Sequence, residues 1–183
     1  KKPVFPFNKF PNQSLFLSPE MKSTGEVIGL DSNLGSAYAK AAMGAGTTLP
    51  IKGNVFMSVN ESDKMKIIPI ARDFQEFGFN IYATSGTAGV LKENGVKTKN
   101  IYKVGEGRPN VVDAIKNNEI QLVINTPLGK QSRYDEYEIG RAAIKYKITA
   151  ITTIEGAQAA VRAVRNIKFG KLNYQSLQDI FDR

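Results

Sequence analysis

From Asn54 onward the chain alternates between two hydrophobic periods. Five short runs, NVFMSV, FNIYAT, TKNIYKV, IQLVINT and ITAITT, carry clustered apolar and β-branched residues and read as strands. Each is followed by a segment whose apolar residues recur every three or four positions: ESDKMKIIPIARDFQEFG, TAGVLKENG, NVVDAIKNNE, DEYEIGRAAIKYK and EGAQAAVRAVRN. These read as helices, the first with acidic residues in its opening turn and a glycine at its end. Pro69 falls inside that helix, where it removes a hydrogen bond and predicts a kink. Strands joined by helical crossovers run parallel, and apolar parallel strands are covered on both faces. The expectation is therefore an α/β fold, a three-layer α/β/α arrangement around a five-stranded parallel sheet.

Before Lys52–Gly53 the pattern differs. VFPFNKFPNQSLFLSPEM combines Phe5, Phe7, Phe10, Leu15, Phe16 and Leu17 with three prolines. Such a backbone is poorly suited to regular structure, and its aromatics have few neighbours to bury them. The segment is expected to lie along a surface supplied by another domain. GEVIGL then reads as a strand, and a helix is expected around Leu34–Met43, ended by GAG. After Arg165 the tail is amphipathic and is expected to lie on the surface or form a last helix.

Composition narrows the chemistry. The 183 residues suffice for one ordinary domain with an appendage, and 42% apolar residues can fill a real core. No apolar run approaches the ~20 residues that span a bilayer, and prolines break the N-terminal apolar stretch, so neither a membrane span nor a signal peptide is expected. The first residue is Lys1, which suggests a piece of something longer. Without cysteine there is no disulfide framework or thiol nucleophile, and a cytoplasmic location is expected. Without histidine the chain alone cannot build an imidazole triad or an ordinary zinc site. No acidic cluster calls for a metal. The net charge of +8 is dispersed along the chain and favours an anionic partner.

The strand ends hold the candidate site, because open parallel sheets bind ligands at the carboxyl ends of their strands. Ser58 ends the first strand and Lys64 lies one turn into its helix. Thr84, Ser85, Gly86 and Thr87 form the exit loop of the second strand. Lys103 ends the third, and Asn125 and Thr126 end the fourth. TSGT leads into a helix N-terminus, whose free N–H groups and positive dipole end suit an anion, and Gly86 allows close approach. The competing reading is an ordinary cap, in which Ser and Thr satisfy the helix's own donors. Lys64 and Lys103 can equally be solvated surface lysines. GEGRPN (Gly105–Asn110) offers Arg108 on a turn that could close over a ligand, or is a plain polar loop. Asp63, Asp113 and Glu155 read as surface or first-turn carboxylates, so no acid–base pair emerges.

PFNKFP, PEMKSTGEVIG, ATSGTAGVL, KVGEGRPNVVDAIKNNEIQLVINTPLGK and AAIKYKI, in this order, resemble the carboxyl-terminal end of the carbamoyl phosphate synthetase large subunit, from about Phe5 to Arg165. The resemblance implies that residues 1–52 are the end of the second ATP-grasp synthetase unit. Residues 53–183 would form a methylglyoxal-synthase-like regulatory domain with strand order 3-2-1-4-5. It implies a glutamine-hydrolysing ligase of pyrimidine and arginine biosynthesis, using ATP with Mg2+ or Mn2+. Its partners would be the rest of the large subunit and a glutaminase small subunit, in an oligomeric full enzyme; no cofactor is implied for this fragment. It further implies UMP or IMP as effectors, with Lys64, Thr84, Thr87 and Lys103 holding the phosphate and Ser58, Asn125 and Ile139 around the nucleotide. Pro127 and Leu128 depart from the family pattern after INT. Ala150 and Lys2 depart from it at the expected ornithine site, whereas Thr152 conforms.

Two other functions compete. A methylglyoxal synthase acting on dihydroxyacetone phosphate would suit the phosphate loop, but that family relies on a catalytic aspartate and a nearby histidine, and this chain has no histidine and shows GEGRPN where the family has a Gly-Gly-Asp motif. A nucleic-acid binder would suit the charge, but the basic residues are not interleaved with stacking aromatics.

Overall fold

The computed structural model describes residues 1–9, 20–126 and 133–181. Phe10, Leu15, Phe16, Leu17, Pro127 and Leu128 lie outside these. The elements are β1 (Lys2–Val4), β2 (Gly25–Val27), α1 (Leu34–Gly44), β3 (Asn54–Ser58), α2 (Lys64–Glu76), β4 (Asn80–Ala83) and α3 (Ser85–Glu93). They continue with β5 (Thr98–Asn100), α4 (Val111–Lys116), β6 (Leu122–Asn125), α5 (Arg133–Lys145), β7 (Thr149–Ile151), α6 (Ile154–Phe169) and α7 (Leu177–Phe181). Strands β3 to β7 form one parallel sheet in the order β5-β4-β3-β6-β7, which is 3-2-1-4-5 counted from β3.

The two-residue period of the strands sorts the core into two layers. Val55 and Met57 of β3 and Leu122 and Ile124 of β6 face one side, in a cluster with Ile67 and Phe74 of α2, Leu91 of α3 and Val164 of α6. Phe56 and Val123, the residues between them, face the other side with Val111 and Ile115 of α4 and Ile139 and Ala142 of α5. Because β3 and β6 are buried on both faces, a one-residue slip would exchange every partner, so the register is firmly specified.

The N-terminal segment is more ordered than its composition suggests. Lys2–Val4 pairs antiparallel with Gly25–Val27, and a 3-10 turn follows at Phe7–Lys9. The rings of Phe5 and Phe7 stack on each other at 5.1 Å. Helix α1, capped by the Asn33 side chain on the Gly35 and Ser36 amides, contributes Ala39 and Ala42 to the first core layer and packs on α6. The approach is close. A Cβ on Gly35 would lie 2.7 Å from the Arg162 carbonyl oxygen, and Asn166 donates from its amide to Asn33 and to Ser36 Oγ.

Three expected boundaries move. Helix α3 begins at Ser85, so TSGT is not a loop before the helix but its cap and first turn. Strand β5 ends at Asn100 rather than Lys103, because its neighbour β4 ends at Ala83, opposite Asn100. Pro69 lies within α2, whose bounds run unbroken across it. Gly89 in the middle of α3 is exposed, and a Cβ there would meet nothing within 4 Å. Gly89→Ala is therefore expected to stabilise the protein by about 0.5–1 kcal/mol. Chemical denaturation of the two proteins side by side checks this.

Candidate functional site

Three neighbouring strands, β4, β3 and β6, end together, and their exits build the crevice. Ser58 and Asn125 are paired in register as the last residues of β3 and β6, and Thr84 follows β4 directly. Backbone and side chains lace the exits to one another. The Thr126 N–H donates to the Ser58 carbonyl at 3.0 Å, and the Asn60 N–H donates to Thr126 Oγ1 at 3.0 Å. The Val59 N–H donates to Thr87 Oγ1 at 3.2 Å. The Thr84 hydroxyl donates to Ser58 Oγ, also at 3.2 Å.

The ordinary side-chain cap is not made. Thr84 is the N-cap of α3, yet its side chain makes no capping hydrogen bond. Its hydroxyl hydrogen goes to Ser58 Oγ, and its oxygen accepts from none of the first-turn amides of α3, which remain available as donors.

The hydroxyl arithmetic points the same way. Ser58, Thr87 and Thr126 are 2%, 2% and 1% exposed. Each accepts a hydrogen bond through its oxygen, and none donates to any of the described residues. A hydroxyl that only accepts retains one O–H to give. Asn125 is likewise buried, and its amide makes no hydrogen bond among the described residues. The crevice thus holds surplus donors, which an acceptor-only group such as phosphate would satisfy.

Lys64 completes the cluster. As the first residue of α2, it leans over the start of α3. A Cβ built on Gly86 would meet only the Lys64 Nζ, at 3.6 Å, and its Cε. Its ammonium is also ion-paired with Glu61, three residues earlier, which sequence reading passed over. The only signal was the spacing in NESDK. Ser85 is exposed within the same first turn.

Two sequence candidates stand apart. Lys103 lies in the turn after β5, where its N–H donates to Glu106 Oε2, and no contact brings its side chain to Lys64 or Thr87. Ile139 is a core residue of α5, 3% exposed among Phe56 and Ile115. Arg108 is 80% exposed, with Asp113 at 3.9 Å. Asp113 itself closes the capping box of α4 with Asn110. No group of three or more potential metal-ligating side chains exists among the described residues, and none of their helices is long and apolar enough to cross a membrane.

A second cavity, of about 450 Å3, lies on the opposite flank of β7, between the N-terminal segment and α5. Lys2, Phe5, Tyr38, Lys147, Ala150 and Thr152 line it. Burial holds the Lys2 ammonium below the ordinary lysine range and the Tyr38 phenol above its own. Among the described residues no carboxylate lines this cavity.

Comparison with known proteins identifies the scaffold. Residues 66–152 match the MGS-like domain family. The chain is 49% identical over 179 residues to the carbamoyl phosphate synthase large chain of Nostoc sp., covering 98% of this chain and 16% of that protein. It is 50% identical over 187 residues to the carbamoyl phosphate synthase large chain, C-terminal section, of Aquifex aeolicus, covering 100% of this chain and 35% of that one. This chain belongs to the carbamoyl phosphate synthase large-chain family. A third relative, the large chain of Acidobacterium capsulatum, is 52% identical over 164 residues, 90% of this chain and 15% of that protein. The chain therefore spans about a third or less of each of these relatives. The MGS-like match spans strands β4 to β7, with Thr84, Thr87, Asn125 and Thr126 inside it, while β3 and Ser58 precede it.

Proposed function

We propose that this chain is the effector-binding section of a carbamoyl phosphate synthase large chain, and that its strand-end crevice takes the phosphate of a nucleoside monophosphate such as UMP or IMP. One observation carries the reading. The α3 N-terminus receives no side-chain cap from Thr84, whose hydroxyl donates to Ser58, and the Lys64 ammonium lies 3.6 Å from where a Cβ on Gly86 of that turn would stand. The α3 amides, the hydroxyls of Thr87 and Ser58, and Lys64 would hold the phosphate. Asn125 and Thr126 would face the rest of the nucleotide, with Lys103 reaching in from its turn. The whole protein would be a ligase that makes carbamoyl phosphate for pyrimidine and arginine synthesis, using ATP with Mg2+ or Mn2+ elsewhere in the large chain and ammonia from a glutaminase subunit. Binding here would regulate those distant sites, and a coupling free energy of this kind needs both sites.

Exposed apolar residues outside the sheet fit that larger context. Ile28, Leu30, Leu34 and Met43 are each about half exposed or more, on the segment around α1, and would be covered by the preceding part of the large chain.

Calorimetric titration of UMP, IMP and dihydroxyacetone phosphate into the protein tests the reading, beside a Gly86→Ala variant. The Gly86 methyl would sit where the phosphate oxygens must approach, yet it fits the folded protein in ordinary contact with Lys64. UMP or IMP is expected to bind saturably, and Gly86→Ala to weaken binding at least about ten-fold without lowering the melting temperature. Absence of nucleotide binding by the wild type would sink the reading. Saturable binding of dihydroxyacetone phosphate alone would favour the lyase alternative.

A further inference from the structure

The crevice already contains an anion that competes for its cation. Glu61 sits on the short 3-10 turn Glu61–Asp63 between β3 and α2, a turn capped by the Asn60 side chain on the Asp63 amide. The same Asn60 is anchored to the crevice through its N–H on Thr126 Oγ1. Glu61 is therefore placed by the structure of the site and not by chance on a free surface. Its side chain is 87% exposed, whereas that of Lys64 is only 21% exposed. The Glu61 carboxylate meets the Lys64 ammonium, and that same ammonium lies 3.6 Å from where a Cβ on Gly86 would stand.

We propose that Glu61 is a charge latch that sets the affinity of the crevice: its carboxylate neutralises Lys64 and must release the ammonium before a phosphate can take it. The inference rests on the reading of the crevice as a phosphate site. A lysine ammonium has three N–H donors, so geometry alone permits it to bind both groups. Electrostatics opposes that outcome, because a phosphate dianion and a carboxylate around one ammonium repel each other at short range. The exposed partner gives way at little cost, since a carboxylate at the surface regains its hydration when it swings into water. The latch thus keeps Lys64 charge-compensated, and it weakens only those ligands whose charge must displace it. Uncharged or singly charged ligands would not release it.

The test compares the wild type with Glu61→Gln. That change removes the charge, keeps an oxygen acceptor for Lys64 and leaves an exposed position that does not threaten folding. Inorganic phosphate, UMP and uridine are titrated at low and high salt. Glu61→Gln is expected to bind phosphate and UMP about two- to five-fold more tightly at low salt. The gain should shrink at high salt as the charges are screened, and should be absent for uridine. Wild-type binding of UMP with Glu61→Gln equal or weaker would overturn the latch alone and assign Glu61 to holding Lys64 in place. Loss of all phosphate and UMP binding in both proteins would overturn the phosphate site together with it.

Discussion

Lys64→Ala should weaken UMP or IMP binding by about ten- to a hundred-fold while leaving the fold intact. The magnitude follows from the kind of bond removed. A hydrogen bond to a charged group contributes roughly 1.5–3 kcal/mol, and each 1.4 kcal/mol is about ten-fold in affinity. Lys64 is the one cation whose position over the uncapped α3 turn is fixed among the described residues, by its proximity to Gly86. Its removal should not harm folding, because its ion pair with Glu61 is a surface pair of little net stability. Isothermal titration with a parallel melting curve separates the two effects. Unaltered affinity in a folded variant would show that the helix N-terminus and hydroxyls act without it. By contrast, Lys103→Ala should cost less, since no contact ties its side chain to the cradle.

The second large effect concerns stability. Gly35→Val should destabilise the protein by about 2–3 kcal/mol. A Cβ at Gly35 would meet backbone, the Arg162 carbonyl oxygen at 2.7 Å and its carbon at 2.8 Å, together with the Asn166 amide nitrogen at 2.9 Å. Backbone cannot rotate aside as a flexible side chain can, so α1 must lift from α6 and open the layer containing Ala39, Ala42 and Ala160. Urea unfolding monitored by circular dichroism reads the loss. A change near zero would mean that α1 contributes nothing to the folded unit. The opposite sign expected for Gly89→Ala supplies an internal control, because both glycines are helical and only the surrounding space differs.

The contrast between these glycines marks where sequence reading stops. Val55, Phe56, Met57, Leu122, Val123 and Ile124 disclose a two-faced parallel sheet because burial on both sides demands apolar residues at every position. The five helices follow from their spacing, and α1 was legible to within a residue. The pairing of β1 with β2 was not legible, since a proline-containing tripeptide acquires its strand only from a partner some twenty residues away. The extent of β5 was not legible either, because its end is set by where β4 turns away. At the site, residue types and strand-end placement singled out Ser58, Thr84, Thr87, Asn125 and Thr126. What TSGT does with its hydroxyls could not be read from TSGT. The Thr84 hydroxyl finds its acceptor in Ser58, 26 residues earlier, and not in its own helix. Glu61 escaped notice because i,i+3 acid–base pairs are commonplace on helices, and only the proximity of Lys64 to Gly86 gives this one a consequence.

The seam between α1 and α6 has a mechanical meaning. Two helices that meet backbone to backbone at Gly35, with Asn166 bolted to Asn33 and Ser36, have no soft layer of long side chains in which to slip. Helix α6 is anchored in the same layer as β3 and β6, so the sheet, α6 and α1 transmit force as one solid piece. The Gly25–Val27 strand meets this piece more lightly, through the Val27 side chain 3.6 Å from where a Cβ on Gly44 of α1 would stand, so the antiparallel ribbon it forms with Lys2–Val4 is where the rigid body gives way to a softer joint.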